Sequence, residues 1–161
     1  MRKITGFGLL FLCFISCDSN RIFDEYQSID ENTWLKDRIV NFELAVEDTV
    51  SKNNLFINIR NDKEYEFSNL FLITKMEFPN GVKIIDTLEY EMTDKFGNHL
   101  GSGYTDIKVN KLFYKENVQF SKKGNYTFQV EQAMRKSGNI HSLDSLKGIT
   151  DVGFRIELAT E

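Results

Sequence analysis

Gly124-Asn125-Tyr126-Thr127-Phe128-Gln129-Val130 is the stretch on which the fold turns. Lys123-Gly124-Asn125 is a turn signal, because Gly and Asn tolerate positive φ. After it Tyr126, Phe128 and Val130 alternate with polar residues, which is the period of a strand with one buried face. A tyrosine just after such a turn has the form of a tyrosine corner: its hydroxyl bonds the backbone a few residues upstream while its ring packs at the sheet edge. A buried tyrosine in an ordinary strand is the plainer reading.

The same period recurs outward in both directions. Val152 to Leu158 places Phe154, Ile156 and Leu158 on one face. Phe42, Leu44 and Val46 oppose Glu43, Ala45 and Glu47, and Leu55, Ile57 and Ile59 oppose Phe56, Asn58 and Arg60. From Leu70 to Phe78 both faces are partly apolar, as in a central strand covered on two sides. Pro79-Asn80-Gly81 is a turn, and Lys83 to Met92 is the next strand, with Leu88, Tyr90 and Met92 aligned. Gly97, Gly101 and Gly103 interrupt the pattern and Tyr104 to Val109 resumes it; Lys111 to Asn117 reads as a turn or a single helical turn. Short strands between turns predict an all-β chain, a single antiparallel β-sandwich of Ig-like or C2-like type.

Composition agrees. Among 161 residues there are 14 Phe, 6 Tyr and a single Pro, an aromatic usage typical of strands. Alanine is confined to Ala45, Ala133 and Ala159, which argues against a helical bundle. The length suits one domain. A net charge of −4 predicts no nucleic-acid partner, since such proteins cluster Lys and Arg.

The N-terminus reads differently. Met1-Arg2-Lys3 is basic, Ile4 to Ile15 is apolar, and Phe14-Ile15-Ser16-Cys17 has the form of a lipobox. The apolar run is too short to span a bilayer, which takes about 20 residues, and it fits a signal h-region. An ordinary secretory signal cut near Ser16 is the rival, and a buried strand is the bland alternative. On the lipoprotein reading, 1–16 is the signal peptide, 17–20 is the lipidated cysteine with a short polar tether, and 21–161 is the β-sandwich domain. Cys17 then carries diacylglycerol and acyl chains, and no other cofactor is expected. One acyl chain binds a membrane reversibly and two or more hold it. With Cys13 removed and Cys17 acylated, no disulfide forms.

Nothing downstream has the pattern of a catalytic, cofactor-binding or metal site. His99 and His141 fall in loop-like stretches, read as solvated, and two histidines without a free cysteine make no zinc set. Gly101-Ser102-Gly103 lacks the spacing of a nucleophile elbow, and no helix or Lys-Ser/Thr follows to cradle a phosphate. The acids are scattered, as on the wet face of strands, although paired carboxylates do run glycoside hydrolysis. Trp34, the sole tryptophan, is either a core residue or an exposed platform for a sugar ring.

Several strings in order along the chain resemble one family. These are Asn32-Thr33-Trp34, Phe42 through Thr49, Ile59-Arg60-Asn61, Tyr65 through Leu70, the Gly97, Gly101, Gly103 loop before Asp106-Ile107, Gly124-Asn125-Tyr126 with Gln132-Ala133-Met134-Arg135, and Gly148-Ile149-Thr150-Asp151-Val152-Gly153-Phe154-Arg155-Ile156-Glu157. The chain resembles the gliding motility lipoproteins of the GldH type found in Bacteroidetes. The resemblance implies a non-enzymatic accessory of the gliding machinery, tied to type IX secretion and acting through contacts with other envelope proteins. It implies attachment to the cell envelope through the lipid, at the outer membrane facing the periplasm. Asp151, Arg155 and Glu157 alternate on one strand face, where they form an ion-pair network or an interface. The rival is a carbohydrate-binding outer-membrane lipoprotein for polysaccharide capture, which requires Trp34 to be exposed; a hydrolase stands last.

Overall fold

Alternation in the sequence becomes ten strands among the described residues: β1 (Arg21–Ser28), β2 (Thr33–Leu35), β3 (Val40–Val46), β4 (Asn53–Asn61), β5 (Asn69–Glu77), β6 (Lys83–Glu91), β7 (Lys108–Val118), β8 (Gly124–Gln132), β9 (Ser145–Lys147) and β10 (Ile149–Leu158). The structure is a computed structural model and describes residues 20–103, 106–136, 138 and 141–160. The signal segment, Cys17, Tyr104 and Thr105 lie outside the described residues.

One four-stranded sheet runs β1-β10-β4-β7, a second runs β3-β8-β5-β6, and β2 pairs with β9 in a small third sheet. Every one of these pairings is antiparallel. The all-β class and the antiparallel sandwich are as the sequence predicts. Phe42 and Phe128, opposite each other on β3 and β8, meet Phe154 of the other sheet; Phe128 stacks on Phe154 at 4.0 Å and Phe42 approaches it at 6.1 Å. Burying such a ring contributes about 1.5–3 kcal/mol, so this aromatic column is a main bond between the sheets. Tyr126 behaves as a corner residue, its hydroxyl donating to the Lys122 carbonyl at 2.9 Å.

The sheet edges are also linked. The Gln27 side-chain amide donates to the Asn41 carbonyl, joining β1 to β3. Tyr90 donates to the Phe113 carbonyl at 2.8 Å and Tyr114 to Asp86 at 2.7 Å, joining β6 to β7.

The two ends of the sandwich differ. The β3–β4, β5–β6 and β7–β8 turns share one end, the turn pole, with Asn20 and Leu158, whose amide donates to the Asn20 carbonyl. The longer connections gather at the other end, where the β2–β9 pair forms a cap. Trp34, fully buried, lies opposite Leu146 there, and its indole donates to the Arg38 carbonyl at 2.9 Å.

Three expectations need correction. Lys111 to Asn117 is not a turn but most of β7: Asn110, Leu112 and Tyr114 face inward while Lys111 and Phe113 face out. Charges at both ends of this stretch masked its alternation. The outer face of β5 is not covered: Phe71 and Ile73 are only half-buried and line an open groove with Ala133 and Arg135. Of the strand expected over Tyr104 to Val109, Tyr104 and Thr105 lie outside the described residues, and β7 begins only at Lys108.

Candidate interaction face

The outer surface of the β1-β10-β4-β7 sheet collects the most organised polar chemistry in the molecule. Its origin is parity. With Val152, Phe154 and Ile156 buried, the other face of β10 presents Asp151, Gly153, Arg155 and Glu157. The register sets Asp24 beside Arg155 and Tyr26 beside Gly153 on β1, and it sets Arg60 beside Asp151 on β4.

Arg155 is the hub. It pairs with Asp24 at 2.7 Å and with Glu157 at 2.5 Å, and all three side chains are largely shielded, at 15–18% exposure. Lys111 reaches Glu157 from β7 at 2.7 Å, and Asn58 donates to the other Asp24 oxygen at 3.4 Å. Burial pushes the Glu157 carboxyl up, but the hydrogen bonds from Lys111 and Arg155 outweigh it and hold it below the usual range. Asp151 lies apart from this hub. It accepts from Ser28 at 2.9 Å and Thr150 at 2.8 Å, with Arg60 at 3.9 Å. The expected Asp151–Arg155–Glu157 trio is thus two adjoining clusters.

Aromatic rings fill the gaps between the charges. The Arg60 guanidinium lies 4.0 Å from the Tyr26 ring centre and Lys111 lies 4.1 Å from that of Phe56. Phe56 meets Phe113 edge to face at 5.6 Å. Tyr26 can lie across β10 only because residue 153 is glycine: a Cβ there would come within 2.9 Å of the ring. Burial raises the Tyr26 hydroxyl pKa. Phe113, at 48% exposed, is the most exposed of these rings. A preformed surface of arginine, tyrosine and phenylalanine has the composition of protein-binding hot spots.

The remaining candidates are less organised. Trp34 has no exposed face, so the condition for a sugar platform fails; packing against Leu146 under the cap took it instead. Ser102 is occupied in its bridge to Val109. His141 is exposed, whereas His99 is half-buried with Nδ1 enclosed and without a hydrogen-bond partner, contrary to the solvated reading. Among the described residues no three His, Cys, Asp or Glu side chains are grouped to hold a metal ion. A cleft of about 330 Å³ beneath the cap is lined by Glu64, Glu66, Lys136, Asp144 and Lys147 around Phe67. Its charges are of both signs. Cys17 lies outside the described residues.

Sequence reasoning named Asp151, Arg155 and Glu157 but missed Asp24, Tyr26, Phe56, Arg60, Lys111 and Phe113. Locally nothing marked β1: Phe23 and Tyr26 stand three apart, off the period of two, with two acids between them. Only the register could show which strands lie side by side.

A family model described as GldH lipoprotein matches residues 21–156. The chain is 53% identical over 151 residues to a "Gliding motility lipoprotein GldH homolog" of Christiangramia forsetii, covering 94% of this chain and 92% of that protein. It is 49% identical over 158 residues to "Gliding motility lipoprotein GldH" of Flavobacterium johnsoniae, covering 96% and 98%. Among solved structures, the infectious bursal disease virus VP2 subviral particle matches at 13% identity with a TM-score of 0.39; the match spans 96% of this chain and 37% of that one.

Proposed function

Starting from the fact that this chain belongs to the GldH lipoprotein family, we propose that it is a lipid-anchored, non-enzymatic accessory of the gliding-motility and type IX secretion-associated envelope machinery. Cys17 is the acylated residue, 1–16 the leader, 17–20 the tether and 21–161 the working domain. The protein acts by contact with other envelope proteins, from the outer membrane facing the periplasm. The observation that supports this most is the preordered Arg–Tyr–Phe surface of the β1-β10-β4-β7 sheet, where an aromatic anchor, Phe113, stands beside side chains already fixed by one another. Side chains held in place before binding lose little entropy on contact.

Two experiments test the reading. Cys17→Ser should leave the protein unprocessed or released from the membrane fraction; processing and fractionation like the wild type would refute the anchor. Affinity purification from crosslinked envelopes should recover motility or secretion components, and recovery should drop at least tenfold for Phe113→Ser. Recovery of polysaccharide-uptake components alone would reverse the assignment in favour of carbohydrate capture.

A further inference from the structure

We propose that the turn pole is a membrane-contact surface: the β3–β4 and β5–β6 turns rest their exposed valines in the interfacial layer of the bilayer that holds the lipid. The proposal rests on the acylated Cys17 of the preceding section. Its evidence is the geometry of this end of the sandwich.

The chain leaves the domain here. The Asn20 carbonyl is held by the Leu158 amide at 2.8 Å, and the three steps from Cys17 to Asn20 reach at most about 10 Å. A domain of this size on so short a lead cannot stand clear of the lipid surface. Some part of the turn pole must lie against the headgroups.

That pole is built as one rigid piece. Gln119 donates to the Thr49 carbonyl at 2.8 Å, which ties the β7–β8 turn to the β3–β4 turn. Pro79 packs beside Gly124, which ties in the β5–β6 turn. At the tip of the β3–β4 turn, one Asp48 oxygen accepts from the Val50 and Ser51 amides at 2.7 and 3.1 Å. This fixes Val50 outward, and it is 80% exposed. In the β5–β6 turn the Gly81 amide bonds the Phe78 carbonyl and the Phe78 amide bonds that of Val82, both at 2.8 Å. Val82 is 52% exposed and Ile22, beside the tether, 51%. Turn tips are ordinarily polar, yet Val50 and Val82 each expose more than half of their surface here. Exposed Arg21, Lys52, Lys122 and Lys123 lie at this end together with exposed Glu47, 3.7 Å from Lys123, and Asp48. Apolar tips set among charges of both signs match the boundary between the headgroups and acyl chains of a bilayer.

The opposite pole supplies the control. Phe96, 78% exposed, and Leu100, 55% exposed, project from the connection after β6, a strand length of roughly 30 Å away.

The test uses the acylated full chain isolated from membranes, with Val50→Cys, Val82→Cys or Phe96→Cys carrying a nitroxide; all three positions are exposed. Intact mass first establishes acylation. The protein is then placed in vesicles of phosphatidylethanolamine and phosphatidylglycerol. The labels at 50 and 82 should show at least a threefold rise in the ratio of oxygen to nickel-chelate accessibility over the protein in solution, with the label at 96 unchanged. An acylated protein whose labels at 50 and 82 behave like the label at 96 would overturn the membrane contact and leave the anchor standing. An unacylated mass would remove both. Protection of label 50 in native envelopes but not in vesicles would assign the pole to a protein and overturn the proposal.

Discussion

Gly148 sits between β9 and β10 at a φ of +82°, and a Cβ there would lie 2.2 Å from the Tyr65 backbone nitrogen. Gly81 has nearly the same φ, +79°, with nothing within 4 Å of where its Cβ would be. The pair separates backbone strain from collision. Gly81→Ala carries only the left-handed penalty and should destabilise by about 1 kcal/mol. Gly148→Ala adds a clash with backbone that cannot yield, under the cap where Trp34 and Tyr65 are packed, and should cost on the order of 3–4 kcal/mol or prevent folding. Urea midpoints of the two variants decide it; equal losses would mean the cap is softer than it looks. At this scale legibility depended on distance along the chain. The Tyr126 corner closes over four residues and could be read from its own sequence. Trp34 is fixed by Leu146 and Gly153 is required by Tyr26, partners too far along the chain for local pattern to pair them.

The ion-pair hub is a property of strands, because β1, β10 and β7 each contribute to it. Arg155 compensates two partly buried carboxylates at once. Its replacement by methionine leaves Asp24 and Glu157 facing each other with less than the charge they need, at an expected cost of about 2 kcal/mol, discounted for residual solvent contact. The hub and the separate Lys115–Asp86 pair give stability a pH dependence. Glu157 is held below its ordinary 4.5, and Asp86 below its ordinary 3.8, chiefly by the hydrogen bond from Lys115. A carboxyl depressed in the folded state takes up protons more readily once unfolded. Its contribution is therefore complete above the unfolded value and is lost as pH falls through the folded one. The urea midpoint should hold steady from pH 8 to 5 and decline below about pH 4.5. In Arg155→Met the decline should be shallower, since one of the groups depressing Glu157 is gone; an unchanged acid limb would show that the hub does not couple to folding. The β10 face was legible because its alternation is regular. Strand β7 was not: its bulged register against β4, with shifts between Asn53 and Phe56, has no local mark, and its lysines resembled a solvated turn.

At the scale of the molecule, the chain closes on itself. Strand β1 pairs with β10, Arg21 opposite Glu157, so the first and last strands of the domain are neighbours, and β10 then joins β1 to β4 in mid-sheet. Sandwich class could be foreseen from alternation and turns, but this order could not, because pairing between distant strands leaves no periodic trace in either of them. The topology makes the two ends of the domain unequal. Removing β1 takes away an edge strand and its contacts, including the Phe23–Phe154 pair at 5.8 Å. Removing β10 splits the sheet, takes Phe154 out of the aromatic column and strips Arg155 from the hub. A chain of residues 20–161, lacking the lipid, should unfold in one cooperative transition, because it keeps all ten strands and the β1–β10 closure. A chain of residues 29–161 should keep a transition at lower temperature, by ten degrees or more. A chain of residues 20–148 should show none, and no near-ultraviolet dichroism from Trp34. Thermal melts of the three read this directly. A cooperative melt of the 20–148 chain would mean that the second sheet and cap fold without the first, and the long-range closure would not be what holds the domain together. Folding that waits for β10 waits for the last strand of the domain, so the domain can assemble only when nearly all of it is available, as slow-forming, non-local sandwiches do.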